Sequence, residues 1–270
     1  MALRTNPWVK PLTYIALASF SCLLFSAFTP PLLTPEVAAR LPIIGSLPGD
    51  LPGYSVRFIL SFLLLGVAPG ILAAMFRESG ADLGINFRTP ILRKFWFWLL
   101  VPVAAAIGAI GALSPDLGSF YPYSHELINL VNKSGFDVLF GHFIAYFFFY
   151  YIPWEFFFRG FLIFPFALAA EKAFGAQNLQ NSSNIVYDNN KTSETGKMVL
   201  AALVLFQTIP STMMHFGHPL SELVSAVVAG ILFGIVAWRT RSIIPGLILH
   251  TAIGFGTDLL IVLKATGYLQ

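Results

Sequence analysis

The chain has 270 residues, of which 56% are hydrophobic, 15% aromatic and 11% charged. A soluble domain carries about 25% charged residues, so this composition excludes an ordinary soluble enzyme. It also excludes an intrinsically disordered chain, which needs low hydrophobicity and high net charge. The sequence therefore predicts a multi-pass integral membrane protein.

The charge balance excludes nucleic acid as a partner. The net charge is +3, and no run of basic residues interleaved with aromatic residues is present. A small basic excess is the usual bias of membrane proteins whose loops touch anionic lipids, so membrane lipids are expected partners. The single cysteine, Cys22, excludes an internal disulfide and a cysteine-ligated zinc cluster.

Uncharged apolar runs predict the membrane-spanning helices, since about 20 apolar residues cross a bilayer. The first run exceeds the core of a signal peptide and no A-x-A site follows it, which favours a retained helix. The runs are continuously apolar rather than alternating, which excludes a β-barrel. The sequence thus predicts an all-α transmembrane bundle of seven or eight helices. The predicted runs are 12–28, 58–76, 95–115, 138–154, 160–170, 198–214, 223–238 and 242–257.

The helix count depends on residues 138–170. A single helix of this length would measure about 50 Å, which exceeds the hydrocarbon core of about 30 Å. The segment therefore either tilts and projects into water or breaks near Pro153, Gly160 or Pro165.

Two regions divide the chain. Residues 1–134 are predicted to hold N-terminal helices and connectors, and residues 135–270 a helical core of catalytic type. The core includes a polar loop at 177–197, rich in Asn, Ser and Thr. Basic residues before the first run and in loop 77–94, with an acidic loop at 115–137, predict a cytoplasmic N-terminus.

Ionisable residues within apolar runs are functional candidates by default, because a charge at the bilayer centre is costly. Glu155 and Arg159 stand four residues apart with Glu first, the favourable order for a helical ion pair. The pair either neutralises itself as a structural feature or holds a carboxylate that activates a water molecule. Burial raises the pKa of a carboxyl group and a nearby guanidinium lowers it, so the sequence leaves the structural and the catalytic role of the pair open.

A second group lies between two prolines. His215, His218 and Glu222 are spaced three and four residues apart, which could align three metal ligands, although Pro219 falls between them. The alternative is histidines at a membrane interface. The prolines predict an irregular helix here, as occurs where backbone lines a cavity.

The last run holds His250 and, eight residues on, Asp258. On a helix these two are about 12 Å apart, so they are expected to border one cavity without direct contact. A lone His is more often a packing residue than a catalyst. His142, in the fourth run, is interpreted as a packing residue.

Three stretches together resemble the CPBP family of intramembrane proteases, which comprises CAAX prenyl endopeptidases and bacteriocin-processing or self-immunity proteins. They are WEFFFRGFL, a His that precedes an apolar helix, and SIIPGLILH. In the family the first motif is a glutamate pair followed by Arg, the second is Phe-x-x-x-His, and the third is His-x-x-x-Asn or Asp. Glu155, Arg159, His215 and His250 match these motifs.

The sequence departs from this pattern at three positions. Trp154 stands at the first glutamate, Ser211 at the Phe of the second motif, and Gly254 at the Asn or Asp. In the family the first glutamate and the second-motif His are taken to act on a water molecule. Either Glu155 takes over as base and Asp258 substitutes for the missing third-motif group, or the chain is a non-cleaving relative.

The resemblance implies an intramembrane endopeptidase that hydrolyses a peptide bond of a membrane-associated protein or peptide. Glu155 and His215 would activate water, His250 would stabilise the oxyanion and Arg159 would orient Glu155, with Asp258, Glu222 and His218 in support. A divalent metal such as zinc stays open as a cofactor; its ligands would be Glu155, His215 and His250, as in a metalloendopeptidase. The alternative is a relative that binds a lipidated or hydrophobic peptide without cleaving it.

Overall fold

The computed structural model describes residues 9–28, 35–174 and 194–269, and within these ranges it contains helices and turns and no strand. Most of the predicted polar loop, residues 177–193, lies outside the described residues. So does Arg4, one of the basic residues before the first apolar run that predicted the orientation. The predicted all-α class is confirmed.

Seven apolar helices form the bundle in the described part of the chain. Six are long enough to cross a membrane, and α3 is shorter. This number agrees with the lower predicted helix count. The helices are α1 (Val9–Phe28), α2 (Leu51–Met75), α3 (Phe95–Gly111), α4 (Asp137–Ala170), α5 (Glu194–Met213), α6 (Leu220–Thr240) and α7 (Ile244–Ala265).

A turn at residues 162–163 interrupts helix α4 between Gly160 and Pro165, where one of the two alternatives placed a break. Helix α4 is helical on both sides of this turn, from Asp137 to Phe161 and again from Phe164. It contains two π-helical turns, Phe147–Tyr151 and Phe156–Phe161, on either side of the α-helical segment Ile152–Glu155. Such wide turns occur frequently at functional sites. They flank the segment that carries Glu155.

Helix α4 forms the centre of the bundle. It is the most deeply buried of the described spans, as expected for a helix that is apolar on all sides. Its aromatic side chains Phe157, Phe158 and Phe161 are fully buried and pack in one cluster with Leu65 of α2. The functional candidates on α4 are therefore held by a rigid core.

Small residues bring α7 close to α3. A Cβ atom on Gly108 would lie 1.8 Å from the carbonyl oxygen of Ile253, and one on Gly256 would lie 2.0 Å from that of Ala105. Glycines allow such close backbone approach between membrane helices. The contact fixes α7 between α3 and α4.

The start of α7 is anchored by the loop after α2. The backbone N–H of Ile243 donates to the carbonyl oxygen of Gly84 over 2.9 Å, and the Ser242 hydroxyl donates to that of Asn86 over 2.7 Å. Gly84 has φ 75°, a conformation that favours glycine. These bonds fix the height of α7 in the bundle.

Candidate active site

A cavity of about 380 Å³ lies among α3, α4, α6 and α7 and the turns at their ends. Its walls are more apolar than polar and include several tyrosines and one tryptophan, with a few polar side chains that converge, which is the usual form of a ligand site. The polar and aromatic lining residues that matter here are Tyr121, Tyr123, Tyr146, Tyr150, Tyr151, Trp154, His215, Glu222, His250 and Asp258.

Glu155 is buried behind the wall of this cavity and contacts it through His250. Nδ1 of His250 donates to Oε1 of Glu155 over 2.7 Å, and Nη1 of Arg159 lies 3.3 Å from the same oxygen. Glu155 and Arg159 are 0% and 3% exposed. The predicted helical ion pair is therefore present, and its carboxylate orients a histidine that lines the cavity.

Trp154 takes the place beside His215. The two ring centroids are 5.3 Å apart in an edge-on arrangement, and the indole stacks on Tyr150 with centroids 5.5 Å apart. Consecutive residues on a helix point about 100° apart, so Trp154 faces His215 while Glu155 faces His250. The structure thus brings Glu155, Arg159 and His250 together, and it gives His215 different neighbours.

His215 lies just beyond the end of α5 with a defined tautomer. Its Nδ1 is 2.7 Å from the carbonyl oxygen of Ser211, which can only accept, so Nδ1 carries the proton. Nε2 of the neutral ring then has a free lone pair. Burial lowers the pKa of His215 to about 4, against the opposing effect of Glu222, so the ring stays neutral at pH 7.

Glu222 connects the second group of candidates. Its Oε1 accepts from Nδ1 of His218 over 2.9 Å and from the hydroxyl of Tyr121 over 2.6 Å, and lies 3.9 Å from Nε2 of His215. The three residues predicted from their spacing therefore meet. Tyr121 could not be singled out from the sequence, because its segment is marked only by its tyrosines and Pro122.

Asp258 pairs with His142, which corrects the interpretation of His142 as a packing residue. Nε2 of His142 lies 2.8 Å from Oδ2 of Asp258, and Nδ1 lies 2.6 Å from the hydroxyl of Tyr54. Asp258 and His250 border one cavity, as expected. The interpretation was wrong because the partner is on α7, far away in sequence.

The space at Gly254 is filled by a residue of α4. A Cβ atom built on Gly254 would lie 1.5 Å from the hydroxyl oxygen of Tyr151. Sequence reasoning missed Tyr151, since it is one of many aromatic residues in its run. Asp258 lies one turn further along α7 than Gly254 and is bonded to His142.

The suggested metal ligands do not fit a metal ion. No group of three or more His, Cys, Asp or Glu side chains in the described ranges is arranged to hold one. Oε1 of Glu155 accepts from Nδ1 of His250 and pairs with Arg159, so this carboxylate and this imidazole bond each other. The mechanism proposed below therefore uses protein groups alone.

Comparison with known proteins gives one finding. A protein-family model described as Rce1-like, type II CAAX prenyl endopeptidase Rce1-like, matches residues 136–256. No curated protein and no solved structure matches the chain significantly. The matched range contains Glu155, Arg159, His215 and His250 and ends just before Asp258.

Proposed function

We propose that the chain is an intramembrane endopeptidase that hydrolyses a peptide bond of a membrane-associated protein, since residues 136–256 match the Rce1-like model of type II CAAX prenyl endopeptidases. One observation carries the proposal. His215 and His250 line the same cavity, and each has Nδ1 fixed by an acceptor, so that Nε2 of each ring is left for a substrate.

In the proposed mechanism a water molecule attacks the carbonyl carbon of the peptide bond. Nε2 of His215 accepts the proton of the attacking water, a form of catalysis that typically contributes about 10²–10⁴ in rate. The proton then passes to the leaving amine as the C–N bond breaks. Glu222, whose Oε1 is 3.9 Å from Nε2, stabilises the imidazolium that forms in between.

His250 provides the charge that balances the oxyanion. When its ring is protonated, Nδ1–H donates to Glu155 and Nε2–H is free to donate to the developing negative oxygen. Glu155 acts on the reaction through His250 and is a positioning residue. Arg159, with Nη1 3.3 Å from Oε1 of Glu155, supplies the counter-charge of this carboxylate inside the bundle.

The rim of the cavity supports a substrate that is held in the membrane. Ile107 and Ile110 of α3 line it and are 57% and 67% exposed. Ala226 and Ala229 of α6 form the lining on the other side. An opening with apolar walls between α3 and α6 suits a lipidated or hydrophobic segment.

The test is cleavage of reporter peptides by the purified protein in liposomes, with prenylated and unprenylated peptides of the same sequence. Glu155→Gln and His215→Ala are expected to abolish cleavage. Asp116→Asn and His125→Ala make the same chemical changes at exposed positions and serve as controls. Cleavage retained by both purified site variants would refute the assignment.

A second candidate is a relative that binds such a peptide without cleaving it. Trp154 favours it, because this large apolar ring fills the place beside His215. Cleavage that appears only when Glu is introduced at position 154 and Asn at 254 would support the binder. Asn at 254 needs Tyr151→Ala as well, since the tyrosine hydroxyl occupies that space.

A further inference from the structure

We infer that the hydroxyl of Tyr151 occupies the space left by the absent side chain of Gly254 and donates a hydrogen bond to the carbonyl oxygen of the peptide bond being cleaved. The inference rests on the proposed function, and it names a group that supplies part of the oxyanion site.

The two residues exclude each other. A Cβ atom on Gly254 would lie 1.5 Å from Oη and 2.7 Å from Cζ of Tyr151. Real non-bonded atoms never approach so closely, and the nearest atoms belong to a ring that is itself packed on all sides. A side chain at position 254 and the phenol of Tyr151 therefore cannot occupy this space together. In this protein the phenol occupies it.

The space filled by the Tyr151 hydroxyl lies on the same face of α7 as His250. Residues four apart on a helix lie one above the other on the same face, so position 254 is one turn from His250. Tyr151, Gly254 and His250 all line the cavity. The hydroxyl reaches across from α4 and lies on the face of α7 that presents the imidazole.

The phenol ring is held in position by its neighbours. Tyr151 is 2% exposed and is the last residue of the first π-helical turn of α4. Its ring lies edge-on to His250 with centroids 5.0 Å apart, and 4.5 Å from the ring of Tyr146. A donor fixed before the substrate binds needs no reorganisation during the reaction, which is what makes oxyanion sites effective.

The chemistry of the phenol suits this role. A tyrosine hydroxyl is neutral at pH 7 and can donate one hydrogen bond. It adds a second donor to the one that His250 supplies, so that two groups from two helices meet one carbonyl oxygen. Asp258, the acidic side chain one turn further along α7, is bonded to His142.

The first test removes the hydroxyl and keeps the ring. Tyr151→Phe is expected to lower kcat by about 10²–10³-fold, the effect of deleting one oxyanion donor, with KM nearly unchanged. Tyr14→Phe is the matched control: Tyr14 is fully buried, its hydroxyl bonds Glu78, and neither residue lines the cavity. A wild-type kcat for Tyr151→Phe would overturn the inference.

The second test exchanges the two positions. Gly254→Asn alone and Tyr151→Ala alone are each expected to lose at least a hundredfold in kcat, the first through collision and the second through loss of the donor. The double variant is expected to recover to within tenfold of wild type, because the amide fills the vacated space. Thermal unfolding in detergent shows whether each variant folds. A folded double variant no more active than the single variants would contradict the inference.

A binding measurement separates this inference from the proposed function. The probe is an S-farnesylated peptide aldehyde, whose hydrate has the tetrahedral shape of the intermediate, titrated by calorimetry. Tyr151→Phe is expected to bind it about tenfold more weakly than wild type, the effect of one lost hydrogen bond. If wild type does not cleave the reporter peptides but still binds the aldehyde more tightly than Tyr151→Phe, only the proposed protease activity is refuted. If the two proteins bind the aldehyde equally, the role of Tyr151 is refuted.

Discussion

Nδ1 of His250 donates to Oε1 of Glu155 across 2.7 Å, and this contact decides which nitrogen of the ring faces the cavity. Arg159 shares the same oxygen. A charge, a counter-charge and an oriented imidazole are thereby combined within a membrane bundle.

Replacing Glu155 by Gln should affect stability and activity separately. The change leaves Arg159 buried without its counter-charge, and breaking a buried pair in this way costs about 3–5 kcal/mol. The melting temperature in detergent should therefore be lower for Glu155→Gln than for wild type, and it should recover in the double variant with Arg159→Met. Activity should stay lost in both, because neither restores the carboxylate that supports a protonated His250. Recovery of activity in the double variant would contradict the role of Glu155.

The pH dependence of the reaction should reflect the neutral ring of His215. Burial lowers the pKa of His215 to about 4, so kcat/KM should show no loss from this group near pH 6.5 and should fall only as pH approaches 4. The groups that face the ring are Glu222, His218 and His250. A profile measured in liposomes from pH 4 to 8 checks this. A loss of kcat/KM centred near pH 6.5 would contradict the low pKa of His215.

The same pKa predicts how stability depends on pH. In the unfolded chain the imidazole binds a proton below about pH 6.5, whereas the folded protein resists protonation until about pH 4. Stability from the neutral ring is therefore fully present above pH 6.5 and decreases as the pH falls towards 4. The melting temperature of wild type should fall over this window more than that of His215→Gln. Parallel curves for the two proteins would contradict it.

Introducing a carboxylate beside His215 should raise activity at the expense of stability. Trp154→Glu removes a fully buried indole, a change that typically costs about 3–5 kcal/mol. Trp154→Gln is the matched control, because glutamine has nearly the same shape as glutamate and carries no charge. Since position 154 faces His215, the Glu variant should cleave at least tenfold faster than the Gln variant. Equal rates would show that a carboxylate here does not assist His215.

The pair of His142 and Asp258 should be important for folding. Asp258→Ala is expected to lower the free energy of unfolding by about 3–5 kcal/mol, as when one partner of a buried pair is removed. Asp82→Ala, at an exposed turn, is the control and should have a much smaller effect. A double-mutant cycle with His142→Phe measures the coupling directly. Additive effects of the two changes would mean that the pair contributes little.

The spans of the bundle could be predicted from the sequence because a bilayer imposes a length on each apolar run. The pairing of Glu155 with Arg159 was also predictable, since a spacing of four on a helix brings side chains together. The bond from His142 to Asp258 was not, because it joins residues on α4 and α7 and depends on how each helix is rotated in the bundle.

The contact of Tyr151 with Gly254 has the same origin. The π-helical turns of α4 shift the angular positions of all later residues, and no apolar pattern in a uniformly aromatic run marks where they occur. The direction in which Trp154 and Glu155 point therefore follows from the packed helix and could not be derived from spacing alone.

The apolar rim formed by Ile107, Ile110, Ala226 and Ala229 has a consequence for how the reaction is measured. A substrate that passes between α3 and α6 never leaves the lipid, so its relevant concentration is its mole fraction in the bilayer. Added lipid should then slow cleavage at a fixed molar amount of substrate, and added buffer should not. Rates compared between detergent and liposomes are meaningful only on this two-dimensional scale.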